Sequence, residues 1–472
     1  MKQTDIADLP PWSQPLGELA RALRARSLSS EALVAAYLER IAGHDGDLHA
    51  YVEVFGEQAL AAARASDLRL AAGMPVGLLE GVPIAVKDLA HVEGYRTMAG
   101  SSVYRQRPPA THTSTVVQRL LAAGAVVLGK THLVEFAFGG WGTNQALGTP
   151  RNPWDKAVHR SPGGSSSGSA VAVAAGMAAG AIGTDTGGSV RIPSAFCGLT
   201  GLKTTQGRIS NHGFDLVSHT LDTVGPMAWT AEDAALLLQA IHGPDAHDPA
   251  TWQAPPEDFV RQLARPVRGL RFALVGPDAL GEVQPAIQDA VRQVAETLAG
   301  LGCLRHDAAF QDVDFVSDQQ ESGGIIASEA YAGHGEHILA AQDTGDAASR
   351  GRVLRGRDWS GPRYAAALQQ RNRRKREFLE LFDATDVLVL PSVPVQAQPV
   401  ATLDENDLAP SRLTRFVGYY GLCAIALPCG LTPDGLPMSV QLVAAPWREG
   451  MLLRLGAAFQ QATAFHRLRP GL

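Results

Sequence analysis

The stretch from Ser161 to Pro193, SPGGSSSGSAVAVAAGMAAGAIGTDTGGSVRIP, surrounds a short alanine and valine run with glycine and serine, and its only charges are Asp185 and Arg191. Side chains this small let neighbouring backbones press close, and the glycines allow backbone turns that other residues resist. The segment therefore reads as a glycine turn, a small-residue helix and a strand, all inside a large fold. Its apolar part, from Ala170 to Gly183, is shorter than the roughly 18 residues that cross a bilayer and is built of weakly hydrophobic residues. Packing, not lipid, explains it.

Strand and helix patterns alternate on both sides. LLEGVPIAVKDL gives an apolar strand, and TSTVVQRLLAAGAVVLGKT a helix and the next strand. LRFALVG, ATDVLVLPS, CAIALPCG and PMSVQLVAA read as further strands, with PAIQDAVRQVAETLAGLG and GMLLRLGAAFQQAT as helices. From Leu16 to Ala72 the apolar residues recur at three and four, predicting amphipathic helices with Ser30 as a cap. The expected fold is α/β: a single large domain with a central mixed, mostly parallel β-sheet covered by helices on both faces. Strand signals resume after the loop-like stretches 245–256 and 396–410, so residues 1–472 are read as one domain. Within it, 1–75 supply N-terminal helices, 76–240 the catalytic core, 241–380 a variable substrate-side region, and 381–472 the C-terminal part of the sheet.

The chain of 472 residues is 45% hydrophobic and 19% charged, ordinary for a globular protein, and its formal charge of -6 offers no basic stripe. Nucleic acid and membrane are therefore not expected as partners, and a small molecule is. The four cysteines show no close pairing, which fits buried thiols in a reducing compartment. The first residues lack an apolar signal region, so a cytoplasmic location is expected. His91, His112 and His132 lack metal-ligand spacing, and neither a metal nor another cofactor is expected.

Only six of the 41 basic residues are lysines. One of them, Lys87, ends the apolar run GVPIAVK, where burial would favour the neutral amine, a base. An ion pair with the adjacent Asp88 is the alternative. Gly187, Gly188 and Ser189 place backbone N–H groups beside a hydroxyl, material for an oxyanion hole. A Walker phosphate loop would need a lysine that neither glycine cluster carries. Gly164 to Gly168 match G-x-S-x-G, which would make Ser166 a nucleophile, but the elbow requires a strand before it and RSPGG is not one.

Read together, Lys87, GGSSSGSA and GTDTGGSVRIPSAFCGLTGLKTT resemble the amidase signature family, and GVPIAVKDL, EFAFGGWGTN, GTPRNPWD, LDTVGPMAWTAEDAALLL and ALPCGLTPDGLPMSVQLV extend the resemblance over most of the chain. The resemblance implies a Ser-Ser-Lys triad: Ser189 as nucleophile, Ser165 as bridging serine after a cis peptide from Gly164, and Lys87 as base. It implies an oxyanion hole from the N–H groups of Thr186, Gly187, Gly188 and Ser189, and an acyl pocket near Phe138, Gly139 and Trp141. Asp185 and Arg191 are read as a buried ion pair holding the nucleophile loop.

The implied activity is hydrolysis of a carbon-nitrogen bond in a small amide, carbamate or urea-like substrate through a seryl acyl-enzyme, by a monomer or homodimer. The alternative is the amide-cleaving component (the A chain type) of a tRNA-dependent glutamine amidotransferase, which shares this fold and triad. Such components carry an acid before the late strand to hold the amino group of glutamine, and Ser411 stands at about that place. A catalytically inactive scaffold is the third reading, disfavoured because each triad position is filled.

Overall fold

The computed structural model describes residues 10–307, 314–315, 318–341 and 344–472. Eleven strands form one sheet: β1 (Tyr51–Val54), β2 (Pro83–Lys87), β3 (Val126–Thr131), β4 (Gly180–Asp185), β5 (Thr200–Lys203), β6 (Thr223–Ala228), β7 (Arg271–Leu274), β8 (Leu304–Arg305), β9 (Val387–Pro391), β10 (Cys423–Leu431) and β11 (Pro437–Ala444). Their spatial order is β1-β3-β2-β4-β6-β5-β10-β11-β9-β7-β8. The sheet is mixed, but antiparallel pairings outnumber parallel ones. Parallel pairing is confined to β3-β2-β4 and β9-β7-β8, and β1-β3 and the run from β4 through β9 are antiparallel. The physical reason is connectivity. Parallel neighbours need a crossover, here supplied by the helices Thr115–Ala122 and Ser167–Ala174, whereas β10 and β11 join through a short turn.

The expected strands and helices lie where the patterns put them. β1, β5, β6 and β8 are additions. β1 interrupts the N-terminal helices Ser30–Leu48 and Gly56–Ala71. Only Tyr51 of its four residues is buried, which leaves no alternation to detect. The cap expected at Ser30 falls one residue earlier: the Ser29 hydroxyl accepts from Ala32 N, while the Ser30 hydroxyl donates to the Gly81 carbonyl.

The small-residue helix Ser167–Ala174 is buried along its whole length. A Cβ on Gly168 would sit 2.3 Å from the Ala50 carbonyl oxygen, so no larger residue fits at this crossing. β2 and β4 are wholly buried, and because they run parallel, their final residues Lys87 and Asp185 reach the same edge of the sheet. Ligand sites in α/β sheets form beyond such carboxyl ends. All four cysteines are buried and free, and no described helix is long and apolar enough to cross a membrane.

Candidate active site

Lys87 is fully buried at the end of β2. Its Nζ lies 2.7 Å from Ser165 Oγ and 2.8 Å from Thr184 Oγ1. The Asp88 alternative is not realised, since that carboxylate turns to Lys130, 2.5 Å away. Burial pushes the Lys87 amine down to about 7, against the opposing pull of Asp222 and Asp185. A neutral amine has two N–H groups and one lone pair. With Thr184 accepting one N–H, the lone pair is free to take a proton from Ser165.

Ser165 follows a cis peptide from Gly164 and is fully buried. Ser189 lies on the loop between β4 and the helix Arg191–Cys197, and it lines a cavity of about 350 Å³. Its carbonyl accepts from Ser166 N at 3.2 Å, which ties the two serine segments together. Among the described residues Ser189 Oγ makes no hydrogen bond, so only the lysine half of a Lys87–Ser165–Ser189 relay is closed. Contacts of this kind are often long without substrate and tighten in the complex.

Asp185 organises the nucleophile loop. Its carboxylate accepts from Gly188 N at 2.9 Å and Val190 N at 3.2 Å, and is clamped by Arg191 at 2.9 and 3.0 Å, both side chains being fully buried. Burial alone would raise its pKa, but the Arg191 guanidinium outweighs burial and holds it below the usual carboxylate range. Arg191 is in turn fixed by Gln441 and the Thr414 carbonyl.

This arrangement changes the set of free oxyanion donors. The Gly188 N–H is already spent on Asp185, whereas the N–H groups of Gly187 and Ser189 have no protein acceptor among the described residues. Thr186 is held through its hydroxyl, which donates to the buried carboxylate of Asp222. Asp222 also accepts from Val217 N and Ser218 N, and burial pushes its pKa up to about 6 against these bonds. Thr184 and Asp222, which bond to Lys87 and Thr186, belong to the candidate site and are not singled out by sequence reasoning. Thr184 is legible in principle, lying in the same signature stretch. Asp222 lies in the familial stretch LDTVGPMAW, just before β6, but nothing local to that stretch says that its carboxylate reaches Thr186.

Phe138 and Gly139 line the cavity beside Thr186, Gly187 and Ser189. Trp141 does not, and the expectation that it lines the pocket is corrected. Its ring stacks on Phe196 at 6.0 Å, and its indole N–H is drawn away to the Asp407 carbonyl. The elbow reading also fails on geometry. Ser166 precedes the helix Ser167–Ala174 without a strand before it, and its fully buried hydroxyl is engaged with the Thr184 backbone. Among the described residues no cluster of three or more histidine, cysteine or carboxylate side chains could hold a metal.

A family model described as Amidase matches residues 32–453. The A-type chain of the glutamyl-tRNA(Gln) amidotransferase from Chloroflexus aurantiacus is 35% identical, over 96% of this chain and 97% of its own length. Among solved structures, one described as a vestigial protein complex revealing the evolutionary origins of an s-triazine catabolic enzyme aligns with TM-score 0.88 at 34% identity, over 95% of this chain and 98% of that chain. A 6-aminohexanoate cyclic dimer hydrolase aligns with TM-score 0.86 at 29% identity, over 98% and 99%.

These relatives overturn the expectation that the chain works without a nucleic-acid or subunit partner, as monomer or homodimer. The amidotransferase relatives are by name subunits of an enzyme acting on a transfer RNA. A net negative charge does not exclude such a partner, because it sums over the whole surface and another subunit can supply the surface that meets the nucleic acid. The matched family model, the near full-length relatives and the shared fold agree that the chain is an enzyme acting on carbon-nitrogen bonds and belongs to the amidase signature family.

Proposed function

We propose that the chain is the amide-cleaving component of a tRNA-dependent amidotransferase, releasing ammonia from an amide donor through a seryl acyl-enzyme. The observation that supports it is the 35% identity to the corresponding amidotransferase chain over 96% of this one. The 2.7 Å contact of a buried lysine with Ser165 supports the chemistry.

In this reading neutral Lys87 accepts the Ser165 proton, Ser165 accepts that of Ser189, and Ser189 Oγ bonds to the substrate carbonyl carbon. The oxyanion is received by the N–H groups of Gly187 and Ser189, with Thr186 beside them, while Gly188 shapes the loop. Donors fixed in advance where charge develops contribute about 3 kcal/mol each to the transition state. The proton then returns through Ser165 to the leaving nitrogen, the C–N bond breaks, and water repeats the path to free the acid.

The test is ammonia release from glutamine by the full chain, alone and with its partner subunits and transfer RNA, together with labelling by a fluorophosphonate. Release that depends on Ser189 and rises in the assembly supports the reading. Labelling of a serine other than Ser189 overturns it.

A second reading, the same triad acting on a small amide, carbamate or urea-like compound other than glutamine, is favoured by one observation. Ser411, not an acid, stands on the cavity wall, where its hydroxyl accepts from Arg415 at 3.2 Å. Turnover of a panel of simple amides with no release from glutamine under any condition would select it.

A further inference from the structure

Between the short turns Val400–Thr402 and Ala409–Ser411 the chain runs through residues 403–408 without helix or strand. This strap borders three spaces. Glu405 lines both the cavity that holds Ser189 and a cleft of about 630 Å³, which Leu403 and Asp404 also line. Asp407 and Leu408 line the same cavity and a second cleft of about 580 Å³. A single layer of chain therefore stands between the catalytic cavity and two clefts. Four of its six residues, Asp404, Asn406, Asp407 and Leu408, are exposed.

A segment with exposed side chains and few backbone hydrogen bonds opens at low cost unless it is anchored. The ends of this one rest on a small apolar cluster: Leu403 and Ala409 pack against the group that contains Trp141, Ile192 and Phe196. Ile192 belongs to the helix that follows Ser189 and itself lines the catalytic cavity. Between these ends, among the described residues, two donors from the body of the fold reach the strap backbone. Arg352 donates to the Glu405 carbonyl, and the Trp141 indole N–H donates to the Asp407 carbonyl at 2.9 Å. Arg352 is shared, since it also holds the Phe138 carbonyl at 2.7 Å. Trp141 has one N–H and spends it on the strap. Its ring is buried behind the cavity and stacked on Phe196, so the N–H is a fixed point.

We propose that Trp141 is a positioning residue for substrate selection: it holds the strap of residues 403–408 closed as a cavity wall, and the closed wall sets the longest acyl chain that reaches Ser189. The inference rests on the proposed amide cleavage at Ser189 and adds what limits the size of the substrate. With the strap released, the cavity joins the clefts behind it and longer chains enter.

The experiment measures kcat/KM for butanamide and octanamide, using the full chain with its partners where they are needed for turnover. Both amides lose ammonia, so the acyl chain alone differs. The unmodified enzyme is expected to prefer butanamide by about tenfold or more. Trp141→Phe, which keeps a ring and removes the N–H, is expected to raise the octanamide-to-butanamide ratio about tenfold, mainly through KM for octanamide, with kcat for butanamide within about twofold. Leu408→Ala, a change at an exposed residue of the wall, is expected to raise the ratio in the same direction. A role of Trp141 in packing alone would lower both rates together and leave the ratio in place. The relative rates at which a long-chain and a short-chain alkyl fluorophosphonate label Ser189 give the same comparison without turnover. An unchanged long-to-short ratio in Leu408→Ala, or in folded Trp141→Phe, overturns the proposal. Failure of the underlying function reads differently: neither turnover nor labelling depends on Ser189, while faster hydrogen exchange of residues 403–408 in Trp141→Phe still reports whether Trp141 holds the strap.

Discussion

Lys87 Nζ stands 2.7 Å from Ser165 Oγ with no carboxylate on the amine, because Asp88, its neighbour in sequence, is turned to Lys130. That single diversion leaves a buried amine whose short-range partners among the described residues are two hydroxyls, Ser165 and Thr184. The proposed chemistry depends on it.

Amide cleavage is expected to rise with pH through an apparent pKa of about 7, the value to which burial brings Lys87. The sign follows from the base being active when neutral: activity is low below that pH and reaches a plateau above it. A kcat/KM profile between pH 5 and 9.5 checks this. A rate that falls across the interval would exclude a neutral lysine base.

The serines divide by position. Ser189→Ala is expected to lower kcat by about 10³-fold or more, and Ser165→Ala by about 10²-fold or more. Ser166→Ala removes a hydroxyl bonded to the Thr184 backbone, so it is expected to cost about 1 kcal/mol of stability and leave most of the activity. Steady-state kinetics alongside urea unfolding distinguishes the three.

Lys87 also has a stability signature. Its pKa in the folded protein is below the unfolded value of 10.5. The unfolded state therefore binds more protons between about pH 7 and 10.5, and stability rises with pH across that window. Lys87→Met is expected to be inactive yet more stable at pH 7, by at most about 4 kcal/mol for a shift of this size. That advantage should shrink toward pH 10. Urea unfolding at both pH values measures it.

Asp222 is a positioning residue. Its carboxylate holds Thr186 and the amides of Val217 and Ser218, and its charge raises the Lys87 pKa. Asp222→Asn is expected to lower kcat about tenfold or more and to move the rising limb of the pH profile to lower pH. A purely structural role would change the first and leave the limb in place.

Gly188 has φ +131°, and a Cβ there would stand 2.2 Å from Thr414 Oγ1. Gly188→Ala is expected to displace the nucleophile loop, losing about 10²-fold in kcat. Loss of fluorophosphonate labelling at Ser189 would report the same displacement.

Much of this protein is legible in the chain because its signals are local. The small residues of Ser161–Pro193 point to close packing, and Lys87 at the end of an apolar run points to a desolvated amine or an ion pair with Asp88. Regular apolar periods mark the strands β2, β3, β4, β7, β9, β10 and β11. β1 and β8 escape because short, largely exposed edge strands carry no period. Trp141 is misplaced by its sequence context because an aromatic ring beside a cavity and one behind it look alike in sequence.

Tertiary structure alone decided that Asp88 met Lys130 and not Lys87, that Asp185 occupied the Gly188 amide, and that Asp222 and Arg415 came to the nucleophile loop from 33 and 226 positions beyond Ser189. Residue type and spacing fix what a segment can do on its own. Pairing of charges and donors depends on distances between segments, and those are set only when the sheet closes and its helices pack.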